Sequence, residues 1–138
     1  MNYDEKELMT RCFRLAEQAA ARGDTPVGSI VADGEGNVIA EAGERNRTED
    51  IFAHAELLAI REALKVLGRN DLTGLTLITT NEPCFLCSYA IRQTAISRVV
   101  FARNTPGIGG ATSLYPILSS ADIPGWPMPP EIVPKQEA

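Results

Sequence analysis

The 138 residues are 44 % hydrophobic and 22 % charged, enough for one domain with a core and too few for two. A formal net charge of −5 and a pI near 4.9 set the chain against phosphate backbones, so nucleic acid is not the expected partner. No run approaches the roughly 18–20 apolar residues of a membrane span, and the acidic start Met1-Asn2-Tyr3-Asp4-Glu5-Lys6-Glu7 does not read as a secretory signal.

Asp4 is placed to cap a first helix, with Glu7 three residues on and an apolar stripe at Leu8, Cys12, Leu15, Ala16 and Ala19. Gly23 is a natural stop. Cys12 lies on the stripe and reads as a small hydrophobe rather than as chemistry. Residues 27–31 and 37–40 read as short strands, and the turn Asp33-Gly34-Glu35-Gly36 makes them a hairpin. Gly28 and Ser29 leave little side-chain volume, which fits either close packing on a helix or room for a ligand.

Residues 44–51 form a polar loop without periodicity, in which Arg45 and Arg47 read as solvated. Asn46 is either a turn former or an amide presented to a heterocycle. Residues 53–67 are the strongest helix, with Leu57, Ile60, Leu64 and Leu67 along one face and Gly68 behind them. His54 and Glu56 then share its first turn, two residues apart and not facing each other. One can hold a metal while the other reaches past it.

Residues 75–80 are rich in β-branched side chains and read as a buried central strand, ended by Glu82-Pro83. Pro83 suits the first turn of a new helix, where Cys84 and Cys87 would lie on one face. Helix N-termini favour negative charge, so both sulfurs are expected as thiolates. Residues 98–102 are another strand, which predicts a parallel βαβ unit. A Gly/Pro loop follows over 104–110, then a short helix over 111–119 interrupted at Pro116. From Ile123 onward, Pro124, Pro127, Pro129, Pro130 and Pro134 exclude a long terminal helix. Trp126, inside this segment, either pins the tail to the body or forms an aromatic lid that binds substrate.

Three cysteines are an odd number, and two of them form a Cys-x-x-Cys. In an intracellular chain that spacing reads as metal or redox chemistry, and a cytoplasmic protein is expected. The chain's single histidine is followed two residues later by glutamate, and its Cys-x-x-Cys is preceded by proline. Together they suggest zinc held by His54, Cys84 and Cys87, with a fourth position open to water and Glu56 as the proton carrier. Two residues after His54 is poor spacing for a fourth ligand on a helix, which argues against a closed structural site.

This His-x-Glu … Pro-Cys-x-x-Cys pattern resembles that of the zinc deaminases of the cytidine deaminase-like superfamily. Ala53-His54-Ala55-Glu56, Glu82-Pro83-Cys84-Phe85-Leu86-Cys87 and Arg98-Val99-Val100-Phe101 look closest to bacterial tRNA adenosine deaminases, guanine deaminases and yeast-type cytosine deaminases. The resemblance, from about Val27 to Leu118, implies an α/β fold of three layers, α-β-α, with a central five-stranded mixed sheet, usually assembled as a homodimer or larger, and the length makes 1–138 a single domain. It also implies that the Asn46 amide and the Ala55 backbone N–H bind the heterocycle.

Two departures bear on the substrate. Asn46 stands eight residues before His54, closer than in those relatives, and the loop ends Asp50-Ile51-Phe52-Ala53 instead of Asp-Pro-Thr-Ala. The C-terminal region is short and proline-rich, ending Lys135-Gln136-Glu137-Ala138, where the tRNA enzymes carry a basic helix. The leading expectation is therefore hydrolytic deamination of a small free heterocycle such as guanine or cytosine, with water as co-substrate. tRNA adenosine-to-inosine editing is the alternative. A non-catalytic zinc scaffold has no use for Glu56, and a redox Cys-x-x-Cys would work without zinc.

Overall fold

The computed structural model describes residues 4–135. Met1-Asn2-Tyr3 and Gln136-Glu137-Ala138 lie outside the described residues. Helix α1 (Glu5–Arg22) begins where Asp4 accepts the backbone N–H groups of Lys6 and Glu7. It ends at Gly23, whose φ of 96° lets its N–H reach back to the carbonyls of the last turn. Met9, Cys12, Ala16 and Ala19 are buried, so Cys12 packs, and its thiol donates to the Ile78 carbonyl.

Strands β1 (Gly28–Ala32) and β2 (Val38–Gly43) form the expected antiparallel hairpin. A Cβ on Gly28 would collide with the Cys12 carbonyl of α1, and Ser29 Oγ donates to Thr79 Oγ1 at 2.8 Å. Close packing thus accounts for both small residues. Helix α2 (Ala55–Leu67) stops at Gly68. Its buried stripe is Ala55, Glu56, Ala59, Ile60 and Ala63, while Leu57, Leu64 and Leu67 are only half-buried. The leucine-based face was rotated from the true one, because small alanines let the helix lie close to the sheet.

Strand β3 (Thr76–Asn81), helix α3 (Phe85–Gln93) and strand β4 (Arg98–Arg103) form the parallel βαβ unit, with Leu77 opposite Val99 and Ile78 opposite Val100. Strand β5 (Glu131–Pro134) then adds in parallel to β4. Sequence periodicity did not reveal β5, since prolines crowd the segment. Its end at Pro134 is compatible with an edge position, where a missing N–H is tolerated. Arg98 joins both ends of the chain, bonding Glu131 at 2.6 Å and Glu5 at 2.9 Å.

The sheet order is β2-β1-β3-β4-β5, a mixed five-stranded sheet. Alternate residues feed opposite cores. Ile30, Ile78 and Val100 meet α1 on one face, while Val31, Leu77 and Val99 meet α2 and α3 on the other. This is the three-layer α-β-α arrangement.

The short helix expected over 111–119 does not form, and turns take its place. Pro116 interrupts it, and the buried Arg92 guanidinium takes carbonyls from this stretch. Its Nη1 donates to the Ile117 carbonyl at 2.7 Å and to that of Leu118 at 3.4 Å, and its Nη2 to that of Pro127 at 2.8 Å. Among the described residues no helix is long and apolar enough to cross a membrane.

Candidate active site

Strands β2 and β3 both run antiparallel to β1, so they point the same way. The chain leaving β2 leads into α2, and the chain leaving β3 leads into α3. Both helices therefore start at one edge of the sheet. His54 is the N-cap residue of α2 and Cys84 that of α3, and neither side chain makes a cap hydrogen bond to its helix. Each sits one step before the first turn where the sequence put it, and Pro83 stands outside α3. The two cap side chains turn toward each other.

His54 Nδ1 lies 3.5 Å from Cys84 Sγ and 3.4 Å from Cys87 Sγ, and all three donor atoms fall within 4.8 Å of one another. Zinc bonds of about 2.3 Å to sulfur and 2.0–2.1 Å to nitrogen at tetrahedral angles require ligand separations of about 3.5 Å. The residues fit zinc. Among the protein groups alone, the hydrogen bond from Cys87, aided by one with His54, holds the Cys84 thiol down to about 4. The same contact with Cys84 pushes His54 up to about 9, and Cys87 is raised well above its ordinary value. The lowered Cys84 and raised His54 favour an anionic sulfur at one of the three donors, the charge a bound cation would need.

Glu56 is the second residue of α2 and is 4 % exposed. Burial pushes its carboxyl up to about 8, with Glu44 and Cys84 adding to the effect. It lines a cleft of about 240 Å³ together with His54, Cys84, Thr25, Asn46 and Glu44. The Asn46 amide is oriented by Thr25: Oδ1 accepts the Thr25 N–H at 3.1 Å and Nδ2 donates to Thr25 Oγ1 at 2.9 Å. Asp24 holds the rest of the loop by accepting the N–H groups of Arg47 and Thr48 and the Thr48 hydroxyl, each at 2.9 Å.

Two expectations need correction. The Ala55 N–H, which the resemblance assigned to the substrate, already donates to Glu44 Oε1 at 2.7 Å. Trp126 is not among the residues lining the cleft. It packs edge-on to Tyr89 at 5.6 Å and under the Arg92 guanidinium at 5.1 Å, which ties the tail to α3.

Sequence reasoning missed two carboxylates. Glu44 read as the start of a polar loop, and nothing in the local pattern announces that it is 5 % exposed. Glu82 read as a strand end. It is 1 % exposed and accepts the N–H groups of Thr105, Ala111 and Thr112 and the Thr112 hydroxyl, fastening the loop after β4 beside Cys84. The charged residue inside Glu-Pro-Cys was the available signal.

Residues 2–103 match the family described as cytidine and deoxycytidylate deaminase zinc-binding region. The chain belongs to that family. It is a zinc-dependent hydrolase acting on C–N bonds. The tRNA-specific adenosine deaminase of Aquifex aeolicus is 40 % identical over 114 residues, 80 % of this deaminase and 74 % of that protein. The tRNA(Ile)-lysidine synthase of Deinococcus radiodurans is 35 % identical over 119 residues, 86 % of this chain but only 20 % of that protein. A solved structure from a study of A-to-I editing by tRNA:A34 deaminases at the wobble position superposes with a TM-score of 0.85 and 31 % identity, covering 94 % and 92 % of the two chains. The guanine deaminase of Bacillus subtilis gives 0.70 and 34 %, covering 74 % of this chain and 66 % of that one.

These likenesses overturn the free-base expectation, since the better-covered relatives are named for adenosine in tRNA and the guanine deaminase covers less. They also remove the argument against nucleic acid. Net charge sums the whole surface and does not fix the field at one cleft.

Proposed function

We propose that this deaminase is a tRNA-specific adenosine deaminase that converts adenosine to inosine in an anticodon. The observation that carries the reading is the near-complete superposition on the tRNA:A34 deaminase structure, over 94 % of one chain and 92 % of the other. The short proline-rich tail, which argued against RNA, forms β5 of the sheet and leaves RNA binding to other surfaces.

In this reading His54 Nδ1 and the Cys84 and Cys87 sulfurs hold the zinc. Bound zinc is a Lewis acid that lowers the pKa of water toward neutrality. The Glu56 carboxylate takes the two protons of the attacking water in turn, passing the first to the ring nitrogen N1 and the second to the amine at C6. Asn46, fixed by Thr25, presents the remaining N–H and lone pair of its amide to the base.

The test is inosine formation in a tRNA anticodon stem-loop, with free adenosine, guanine and cytosine as comparisons. Inosine in the RNA, with no ammonia from the free compounds, is the expected result. RNA left unchanged by the zinc-loaded protein would sink the reading.

A further inference from the structure

Glu44 directly follows β2, is 5 % exposed, and lines the cleft together with His54 and Glu56. Oε1 accepts the Ala55 N–H at the start of α2, the capping bond that His54 does not make. Among the described residues nothing donates to Oε2. The cleft therefore presents an acceptor where the resemblance led one to expect a backbone donor. An ionised carboxylate accepts and cannot donate, so whatever part of the base meets Oε2 must carry an N–H. On adenine the ring nitrogens of the exposed edges are acceptors, and the exocyclic amine is the donor. That amine is the group the reaction removes.

We propose that Glu44 is the leaving-group residue of this deaminase, its Oε2 accepting an N–H of the C6 amine as the C–N bond breaks. The proposal rests on the adenosine reading above. Water has by then added its oxygen to C6, its first proton has passed by way of Glu56 to N1, and its second moves from the C6 hydroxyl to Glu56. The C6–N bond breaks, its electron pair goes to nitrogen, and Glu56 returns a proton there. Ammonia departs and the added oxygen remains as the C6 carbonyl. Glu44 gains and loses no proton. It holds the amine so that the nitrogen lone pair faces Glu56 and not Glu44.

A carboxylate accepts on both oxygens, whereas an amide accepts on one. Glu44→Gln therefore keeps the Ala55 cap or the amine contact, never both. The experiment compares two anticodon stem-loops, one with adenosine and one with 6-chloropurine riboside at the target. The second loses chloride, has no N–H, and also yields inosine. In Glu44→Gln, kcat on the adenosine RNA should fall about 10- to 100-fold, the weight of one hydrogen bond to a charged group, while kcat on the chloro RNA stays within about twofold. The ratio of the two is independent of how much variant is folded. Glu44→Asp, which keeps two acceptor oxygens, should recover part of the ratio. Equal losses on both RNAs would reduce Glu44 to a helix cap and overturn the proposal alone. Wild-type protein that turns over neither RNA would overturn the adenosine reading and the proposal with it.

Discussion

Cys84 Sγ lies 3.5 Å from His54 Nδ1, across thirty residues of intervening chain. The contact joins the N-cap residues of two helices, so a metal bound there would tie α2 to α3. Cys87→Ala removes one of three donors, and zinc content by elemental analysis should fall from one per chain to near zero. A chelator should lower the Tm of the native protein and leave that of Cys87→Ala unmoved. At a free zinc concentration a hundred times Kd the difference is about 2.7 kcal/mol.

Glu56 is set apart from the metal donors and buried beside them. Glu56→Gln preserves shape and hydrogen bonding but cannot carry the proton. It should retain full zinc and an unchanged Tm, with turnover reduced at least about 10²-fold. Turnover within a factor of two of the native rate would defeat the role assigned to Glu56.

Glu82 gives a stability prediction that is independent of the chemistry. Burial alone would raise its carboxyl, but the hydrogen bonds from Thr105, Thr112 and Ala111 outweigh burial and hold it below its ordinary 4.5. A depressed folded value means that the stabilisation is complete above the unfolded value and disappears as pH falls through the folded one. The native protein should therefore lose stability steeply below pH 4.5, and Glu82→Gln should show a flatter profile in urea melts over that range. Glu82→Ala removes the acceptor shared by the part-buried N–H groups of Thr105, Ala111 and Thr112 and should cost about 1–3 kcal/mol at neutral pH.

Trp126 packs on Tyr89 and Arg92, away from the cleft. Trp126→Ala should lower stability by about 2 kcal/mol, from lost ring packing and the cation–π contact. KM for the anticodon stem-loop should stay within about twofold. A large rise in KM with unchanged stability would restore the lid.

Much of the fold was legible because it rests on local rules. Asp4 and Gly23 bracket α1, the Asp33-to-Gly36 turn makes the hairpin, and the β-branched run before Pro83 marks β3. The failures have physical causes too. The face of α2 was misjudged because leucine counts more than alanine in a periodicity argument, although alanine lets a helix approach the sheet. β5 escaped notice because its pairing with β4 outweighs a composition that disfavours strands. The helix expected over 111–119 gives way to turns in which Arg92, 25 residues before Ile117, takes the carbonyls of Ile117 and Leu118.

By itself the sequence named the metal donors and singled out Glu56 as the proposed proton carrier. His54, Cys84 and Cys87 are fixed in kind by the chemistry of zinc, and short spacings place His54 with Glu56 and Cys84 with Cys87, each pair at one helix start. Only the tertiary structure decided what surrounds them. The parallel directions of β2 and β3 bring the two helix starts together. The end of β2 also delivers Glu44 to the Ala55 N–H, turning an expected donor into an acceptor. Such partners lie ten or more residues apart, beyond the reach of any local pattern.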